Sequence, residues 1–291
     1  MSKRISIFGS TGSIGSTVFR ILDKNFKDFK IYTLAANANY KKINKQIMTY
    51  KPEIFIIFHW ETYLKIKKKY QKKNIIILNS KNYLTFKFKK SDVSISAIPG
   101  ISGLQPTLLL VDISKKILIA NKEAVICGWN ILKKKAINKK VELIPIDSEH
   151  FSILNLIKNS KLEEIDKIYL TASGGPFLNY PLRKMKKIKP KHAISHPKWK
   201  MGKKISVDSA TLMNKIFEVI EANKLFNINF DKIEIIIHPQ SLVHAIVKYK
   251  NGLYKFLYFQ PDMAIPIGIA LKGKNFSYKK YFIEKNIINS K

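Results

Sequence analysis

The first half of the chain alternates short apolar runs with segments of helical period, and few folds satisfy that pattern. Runs over residues 4–8, 30–35, 53–58, 74–78, 93–97, 116–119 and 141–146 have the length and apolar character of buried strands. Between them, residues 13–24, 40–50 and 61–70 repeat apolar side chains at helical spacing. Strand, helix and strand in repetition mark crossover units, whose strands lie parallel with helices on both faces. The expected class is therefore α/β, with a doubly wound sheet. After about Asp147 the texture changes to loops rich in Gly and Pro. One helix is expected over 209–223, and the runs 232–237 and 241–249, followed by 253–259, are expected as neighbouring strands with Asn251-Gly252 as a hairpin turn. The reading places a domain over 1–147 and an α+β domain over 148–291, consistent with single cores ceasing to grow near about 250–300 residues.

Composition mainly excludes. A formal charge of +33 suggests a nucleic-acid surface, but of 53 basic residues only Arg4, Arg20 and Arg183 are arginines, and the lysines are scattered rather than striped. Base edges and phosphates are gripped best by the planar guanidinium fork, so specific nucleic-acid binding is not expected. Attraction of an anionic substrate is expected. No apolar run approaches the roughly 18 residues of a membrane span. The strand pattern begins at once, leaving no leader, so the expectation is a cytoplasmic protein with no membrane partner. Cys127 is the single cysteine, which fits a reducing compartment; following Ala124, Val125 and Ile126, it reads as a core residue.

Several segments carry chemistry. Gly9-Ser10-Thr11-Gly12-Ser13-Ile14-Gly15 lies between the first strand and the first helix. Glycines there let the backbone approach a pyrophosphate, whose charge meets free amides at the helix start. The spacing departs from the usual G-x-G-x-x-G, and a plain strand-to-helix turn is the alternative. After the second strand, where a carboxylate would hold a ribose 2′-hydroxyl, the sequence has Asn37-Ala38-Asn39 with Lys41 and Lys42 behind, favouring NADP over NAD. Asp147-Ser148-Glu149-His150 follows the last strand of the first half. Its carboxylates suit a hard cation such as Mg²⁺ or Mn²⁺, and they equally suit the capping of the next helix by Asp147 or Ser148. Helical spacing brings Asn214, Lys215 and Glu218 to one face, able to hold phosphate and metal or to form a simple exposed ion pair. Ser173-Gly174-Gly175 could turn amides toward a phosphate, and the loop from His196 through Trp199 to Gly202 could close over a substrate. Ordinary turns are the alternative for both. His238 and His244 read as satisfied core histidines.

Together with Ala120-Asn121-Lys122-Glu123, Ser206-Val207-Asp208-Ser209, His238-Pro239-Gln240-Ser241 and Pro261-Asp262-Met263, these motifs resemble, in order and over nearly the whole chain, the 1-deoxy-D-xylulose 5-phosphate reductoisomerases. The resemblance implies a Rossmann-like NADPH-binding domain followed by an α+β catalytic domain, and a homodimer. It implies that Thr11, Gly12, Ser13, Ile14, Asn39, Asn121, Glu123 and Gly202 hold NADPH, and that Asp147, Glu149 and Glu218 hold Mn²⁺ or Mg²⁺. By the same resemblance Ser173, Ser209, Asn214 and Lys215 meet the substrate phosphate, with Glu218 beside them. Lys122, Ser148, Glu149 and His196 face the substrate's hydroxyls and carbonyl, Lys122 and Glu149 being catalytic, and Trp199 belongs to a lid. The implied reaction rearranges a ketose phosphate to an aldehyde and reduces it to 2-C-methyl-D-erythritol 4-phosphate for isoprenoid synthesis. A relative that binds NADPH without turnover is the alternative.

Some positions depart from the family pattern. Ala38 stands where the family has a basic residue near the 2′-phosphate, which leaves Lys41 or Lys42 to compensate. Ile216 replaces a small residue, and Phe259 and Ala264 replace a Gly and an Arg, so different local packing is expected there. Family members also continue into a helical C-terminal domain beyond the residues given by this sequence.

Overall fold

The computed structural model describes residues 2–22, 28–194, 199 and 202–280. The chain forms two compact units, one running up to Ile144 and resuming at Ile267, the other spanning Pro145–Pro266. The sequence reading put its division at 147/148 and had no counterpart for the return at Ile267.

The first unit contains β1 (Lys3–Phe8), α1 (Ser13–Leu22), β2 (Phe29–Ala36), α2 (Tyr40–Tyr50), β3 (Ile54–Ile57), α3 (Trp60–Tyr70), β4 (Ile76–Asn79), β5 (Val93–Ser96), α4 (Leu104–Ile113), β6 (Lys116–Ile119), α5 (Lys122–Lys139) and β7 (Glu142–Pro145). The strands form one sheet in the order β4-β3-β2-β1-β5-β6-β7. Its pairings from β4 through to β6 are parallel. All residues of β3 and β5 are buried, as strands covered on both faces must be, which is why they read as unbroken apolar or small-residue runs. From β1 the chain winds outward through β2, β3 and β4, then returns with β5 against the other side of β1. That reversal is the switch point at which doubly wound sheets bind ligands beyond the carboxyl ends of their strands.

Cys127 corrects an expectation, because its side chain is exposed. It shares a stripe of α5 with Ile131 and Lys134, both exposed, while Ala124, Val125, Gly128, Trp129 and Leu132 supply the buried face.

The second unit holds α6 (Ser148–Ile157), β8 (Ile165–Ala172), α7 (Pro190–Ile194), α8 (Lys203–Ala210), α9 (Met213–Phe226), β9 (Ile233–Ile237), β10 (Val243–Tyr249) and β11 (Tyr254–Tyr258); α10 (Ala264–Lys272) follows. Its sheet has the order β11-β10-β8-β9. β10 is antiparallel to β8 and β11, while β8 and β9 are parallel. β9 and β10 are therefore not neighbours: β8, absent from the sequence reading, lies between them. One side of the sheet builds the core from Ile168, Leu170, Ala245 and Val247, closed by Ile153 and Ala222 from α6 and α9.

The single helix expected over 209–223 is two helices. Thr211 turns its hydroxyl back onto the carbonyls of Val207 (3.3 Å) and Asp208 (3.2 Å), which competes with continuation of the backbone ladder. Leu212 then adopts φ 58°, in the left-handed region, and α9 starts at Met213. This costs a non-glycine residue about 1–2 kcal/mol.

Candidate active site

In the first unit, the sequence-expected dinucleotide residues gather at the carboxyl ends of the strands. Gly9 follows β1 with φ 91°, and a β-carbon there would stand 2.3 Å from the Ala97 carbonyl oxygen, so the loops after β1 and β5 approach as only glycine allows. At Gly15 a β-carbon would meet the Ser10 carbonyl oxygen at 2.4 Å, which lets α1 pack directly on the loop. Gly12 and Ser13 between them are exposed, and α1 opens at Ser13, so its first amides have no acceptor within the helix. These free amides at the carboxyl end of β1 form an anion cradle that fits a pyrophosphate.

Two further loops follow the carboxyl ends of strands in the same sheet. Asn39 caps α2, its Oδ1 accepting from the Lys42 amide at 3.1 Å. Asn121 caps α5, accepting from the Ala124 amide at 2.6 Å. Its Nδ2 donates to the carbonyls of Ile98 and, at 3.1 Å, Gly100, tying the loop after β6 to the loop after β5. Lys122 and Glu123 are the next two residues of the chain, and Lys122 is buried. Gln46, not singled out from the sequence, exchanges two hydrogen bonds with Ser10: the Ser10 hydroxyl donates to its Oε1 at 2.8 Å, and its Nε2 donates to the Ser10 carbonyl at 2.9 Å. A buried glutamine on the apolar face of α2 was the available signal.

In the second unit, one carboxylate oxygen each from Asp147, Glu149 and Glu218 lies within 4.8 Å of the others. Asp147 makes no capping hydrogen bond to α6, so the capping alternative does not describe its side chain. Ser148 donates its hydroxyl to Glu149 Oε2 at 2.5 Å, and Asn214 Nδ2 donates to Glu218 Oε1 at 2.5 Å. Lys215 is no surface partner of Glu218 but a buried ammonium. It donates to Glu149 Oε1 at 2.7 Å, to the Thr171 carbonyl at 2.5 Å and to Glu218 Oε2. Burial alone would lower its pKa, but the facing Glu149 and Glu218 carboxylates outweigh that and raise it, so the lysine is charged. Three carboxylates against one ammonium leave two formal negative charges, and oxygen donors at this spacing fit a divalent cation.

Two more residues belong to this cluster: His150, which the sequence motif contains without a role, and Glu221, which the sequence reading does not single out. His150 is buried, with Nε2 2.9 Å from the Glu218 backbone carbonyl and Nδ1 3.6 Å from Asp147 Oδ1 and 3.8 Å from Glu221 Oε2. Glu221 is buried one turn beyond Glu218 on α9, and two acids three apart on a helix otherwise packed into the core were its signal.

The phosphate residues are brought near one another in part. Ser173 Oγ accepts from the Gly175 amide at 3.3 Å, and Gly175 runs so close to the end of α8 that a β-carbon on it would meet the Ser209 carbonyl oxygen at 2.9 Å. Gly202 precedes α8, and among the described residues nothing lies within 4 Å of where its β-carbon would stand. His196 lies outside the described residues. The Trp199 ring stands edge-on to His244 at 5.9 Å, and His244 stacks at 3.8 Å on Phe259, one of the positions that departs from the family pattern. His244 behaves as a core histidine, bonded through Nε2 to the Phe259 carbonyl at 3.0 Å, and burial lowers its pKa to about 4. His238 differs from expectation: it is half-buried, and its Nε2 has no hydrogen-bond partner among the described residues.

Residues 5–128 match the family described as 1-deoxy-D-xylulose 5-phosphate reductoisomerase, and residues 143–226 match the C-terminal domain of that enzyme. A relative from Pelagibacter ubique with the same description is 48% identical over 288 residues, covering 95% of this chain and 74% of its own length. Another, from Wolbachia pipientis wMel, is 42% identical over 93% of this chain and 70% of its own length. Among solved structures, a reductoisomerase in complex with NADPH, fosmidomycin and magnesium superposes with a TM-score of 0.85 at 33% identity, covering 93% of this chain and 69% of that one. The Zymomonas mobilis enzyme in complex with NADPH gives 0.83 at 30% identity, over 96% of this chain and 75% of that one.

Proposed function

The chain belongs to the 1-deoxy-D-xylulose 5-phosphate reductoisomerase family, and from that premise we propose that it rearranges and reduces 1-deoxy-D-xylulose 5-phosphate to 2-C-methyl-D-erythritol 4-phosphate. The balance would be one hydride from NADPH, leaving NADP⁺, and one proton from solvent. The observation that carries this reading is the meeting of Asp147, Glu149 and Glu218 within 4.8 Å, with the buried Lys215 ammonium bonded to two of them.

A divalent cation held by these three carboxylates would supply Lewis acidity to the substrate's oxygens, and NADPH the hydride. The remaining work falls to the chain. Glu149 has one oxygen on the Ser148 hydroxyl and the other on Lys215, a placement from which it can relay a substrate hydroxyl proton. Lys122 is assigned to the substrate's oxygens as a proton partner. Ser173, Ser209, Asn214 and Lys215 are assigned to the phosphate, which fixes one end of the substrate so that the reacting carbons are aligned. In the first unit, Thr11, Gly12, Ser13 and Ile14 are assigned to the pyrophosphate, and Asn39, Asn121 and Glu123 to the rest of the dinucleotide; Gly202 is assigned to NADPH by the family resemblance alone.

Incubation of the purified protein with the ketose phosphate, NADPH and Mn²⁺ should consume the nicotinamide absorbance in proportion to product. Tight NADPH binding with no consumption would sink this reading in favour of a binding protein without turnover. A homodimer belongs to the same proposal, supported by exposed Tyr254, Phe256 and Tyr258 on the edge strand β11 and exposed Ile235, Ile236 and Ile237 on β9; light scattering of the purified chain tests it. So does a cytoplasmic location, supported by the single cysteine, and no helix among the described residues is long and apolar enough to cross a membrane.

A further inference from the structure

The slot beyond the carboxyl end of β2 decides between the two nicotinamide dinucleotides, because the adenosine ribose of one carries a hydroxyl where the other carries a phosphate. Here β2 ends at Ala36, and Asn37, Ala38 and Asn39 follow without a carboxylate. The Ala38 carbonyl is occupied by the Thr62 hydroxyl of α3, which donates to it at 3.2 Å, and the His59 ring contacts the same hydroxyl at 3.0 Å. None of these groups offers a fixed positive charge.

Lys42 does. It lies in the first turn of α2, is exposed, and donates its ammonium to the Thr11 carbonyl in the glycine loop at 3.1 Å. One turn on, at i+4, Gln46 grips Ser10 by its two hydrogen bonds, so this face of α2 is pinned against the loop and the stem of Lys42 is aimed along it. Among the described residues Lys42 has no carboxylate partner, and Thr11 is its one acceptor. No other lysine of α2 bonds to the loop among those residues. A full charge resting on a neutral carbonyl at the rim of an anion cradle gains by moving to a phosphate, since charge-assisted hydrogen bonds are roughly twice as strong as neutral ones.

We propose that Lys42 is the residue that makes this chain selective for the phosphorylated dinucleotide, exchanging the Thr11 carbonyl for the ribose 2′-phosphate when NADPH binds. The assignment rests on the dinucleotide reading of the glycine loop and adds to it the residue that reads the 2′ position. The loop and the β2 terminus contribute no other cation, so loss of this one removes discrimination while leaving the pyrophosphate cradle intact.

Fluorescence titration of the full chain with NADPH and with NADH tests the assignment in the wild type, Lys42→Met, Lys42→Arg and Lys41→Met, with melting temperatures to confirm folding. Lys42→Met should weaken NADPH by about tenfold or more, corresponding to about 1.4 kcal/mol, and NADH by less than about twofold, with a shallower salt dependence for NADPH. Lys42→Arg should retain the preference, and Lys41→Met should change neither ligand comparably. Equal weakening of both dinucleotides by Lys42→Met would mean that the lysine only braces the loop, and an unchanged NADPH affinity would assign the 2′-phosphate elsewhere; either result overturns the proposal. A wild type that binds neither dinucleotide would instead refute the proposed function itself and this assignment with it.

Discussion

Replacing Lys215 by Met should unbalance the carboxylate cluster, and the size of the effect follows from the geometry. At an effective dielectric constant of about 20, two like charges 4.8 Å apart repel by about 3 kcal/mol. Three such pairs press on each other in a region where the Lys215 side chain is 6% exposed and the Glu218 side chain 2%. Methionine fills nearly the same volume, so the variant removes the ammonium with little loss of packing. Removing one partner of a buried ionic cluster costs about 3–5 kcal/mol, which for a chain of this size is a fall of roughly 6–20 °C in melting temperature. A divalent cation that binds the same carboxylates supplies the missing charge and stabilises in proportion to its saturation. The melting temperature of Lys215→Met in EDTA should therefore fall far below that of the wild type, and Mn²⁺ should raise it by more than it raises the wild type. A loss below about 1 kcal/mol in EDTA, or the same loss with and without Mn²⁺, would refute the claim that this lysine balances the three acids.

Asp147→Asn and Glu218→Gln should each abolish turnover while leaving NADPH affinity within about twofold, because both side chains belong to the cluster in the second unit and the cradle to the first; wild-type activity in either variant would exclude them as cation ligands. Leu212→Gly should raise stability by roughly 0.5–1 kcal/mol in urea denaturation, since φ 58° suits glycine and the leucine side chain is largely exposed, and a loss of stability would show that the leucine packs productively. Burial holds the His244 pKa down at about 4, with Lys215 and His238 acting in the same direction and the Phe259 carbonyl and Asp147 opposing. Its contribution to stability is therefore complete above the unfolded value near 6.5 and is lost as pH falls toward 4, by about 3 kcal/mol in all. Urea midpoints measured across that window should fall less steeply for His244→Phe than for the wild type, and identical slopes would contradict this.

The parallel sheet was legible because strands buried on both faces leave unbroken apolar runs, as in Ile54–Ile57. β8 was not, since its Asp166, Lys167 and Tyr169 are only half-buried and follow a polar stretch, which masks the alternation of Ile168, Leu170 and Ala172. Without β8 the order of the second sheet could not be recovered. The break at Leu212 has no Gly or Pro to announce it; it arises from the Thr211 hydroxyl and from packing. In the site, the acids were legible as motif members. The burial of Lys215 among them was not, since a Lys three residues before a Glu reads the same on a wet helix face as in a closed cluster. Cys127 shows the same ambiguity in reverse, because apolar neighbours in sequence do not fix which side of a helix faces the core.

The close approach of backbones around the glycine loop also limits how this chain can diverge. A composition so heavy in Lys, Ile and Asn implies that many surface positions accept whichever residue arises. Gly9 and Gly15 do not: a single methyl group would strike a carbonyl oxygen at 2.3 or 2.4 Å. At those two points even alanine is too large, so substitutions that the rest of the surface absorbs would there separate strand from helix and dismantle the cradle.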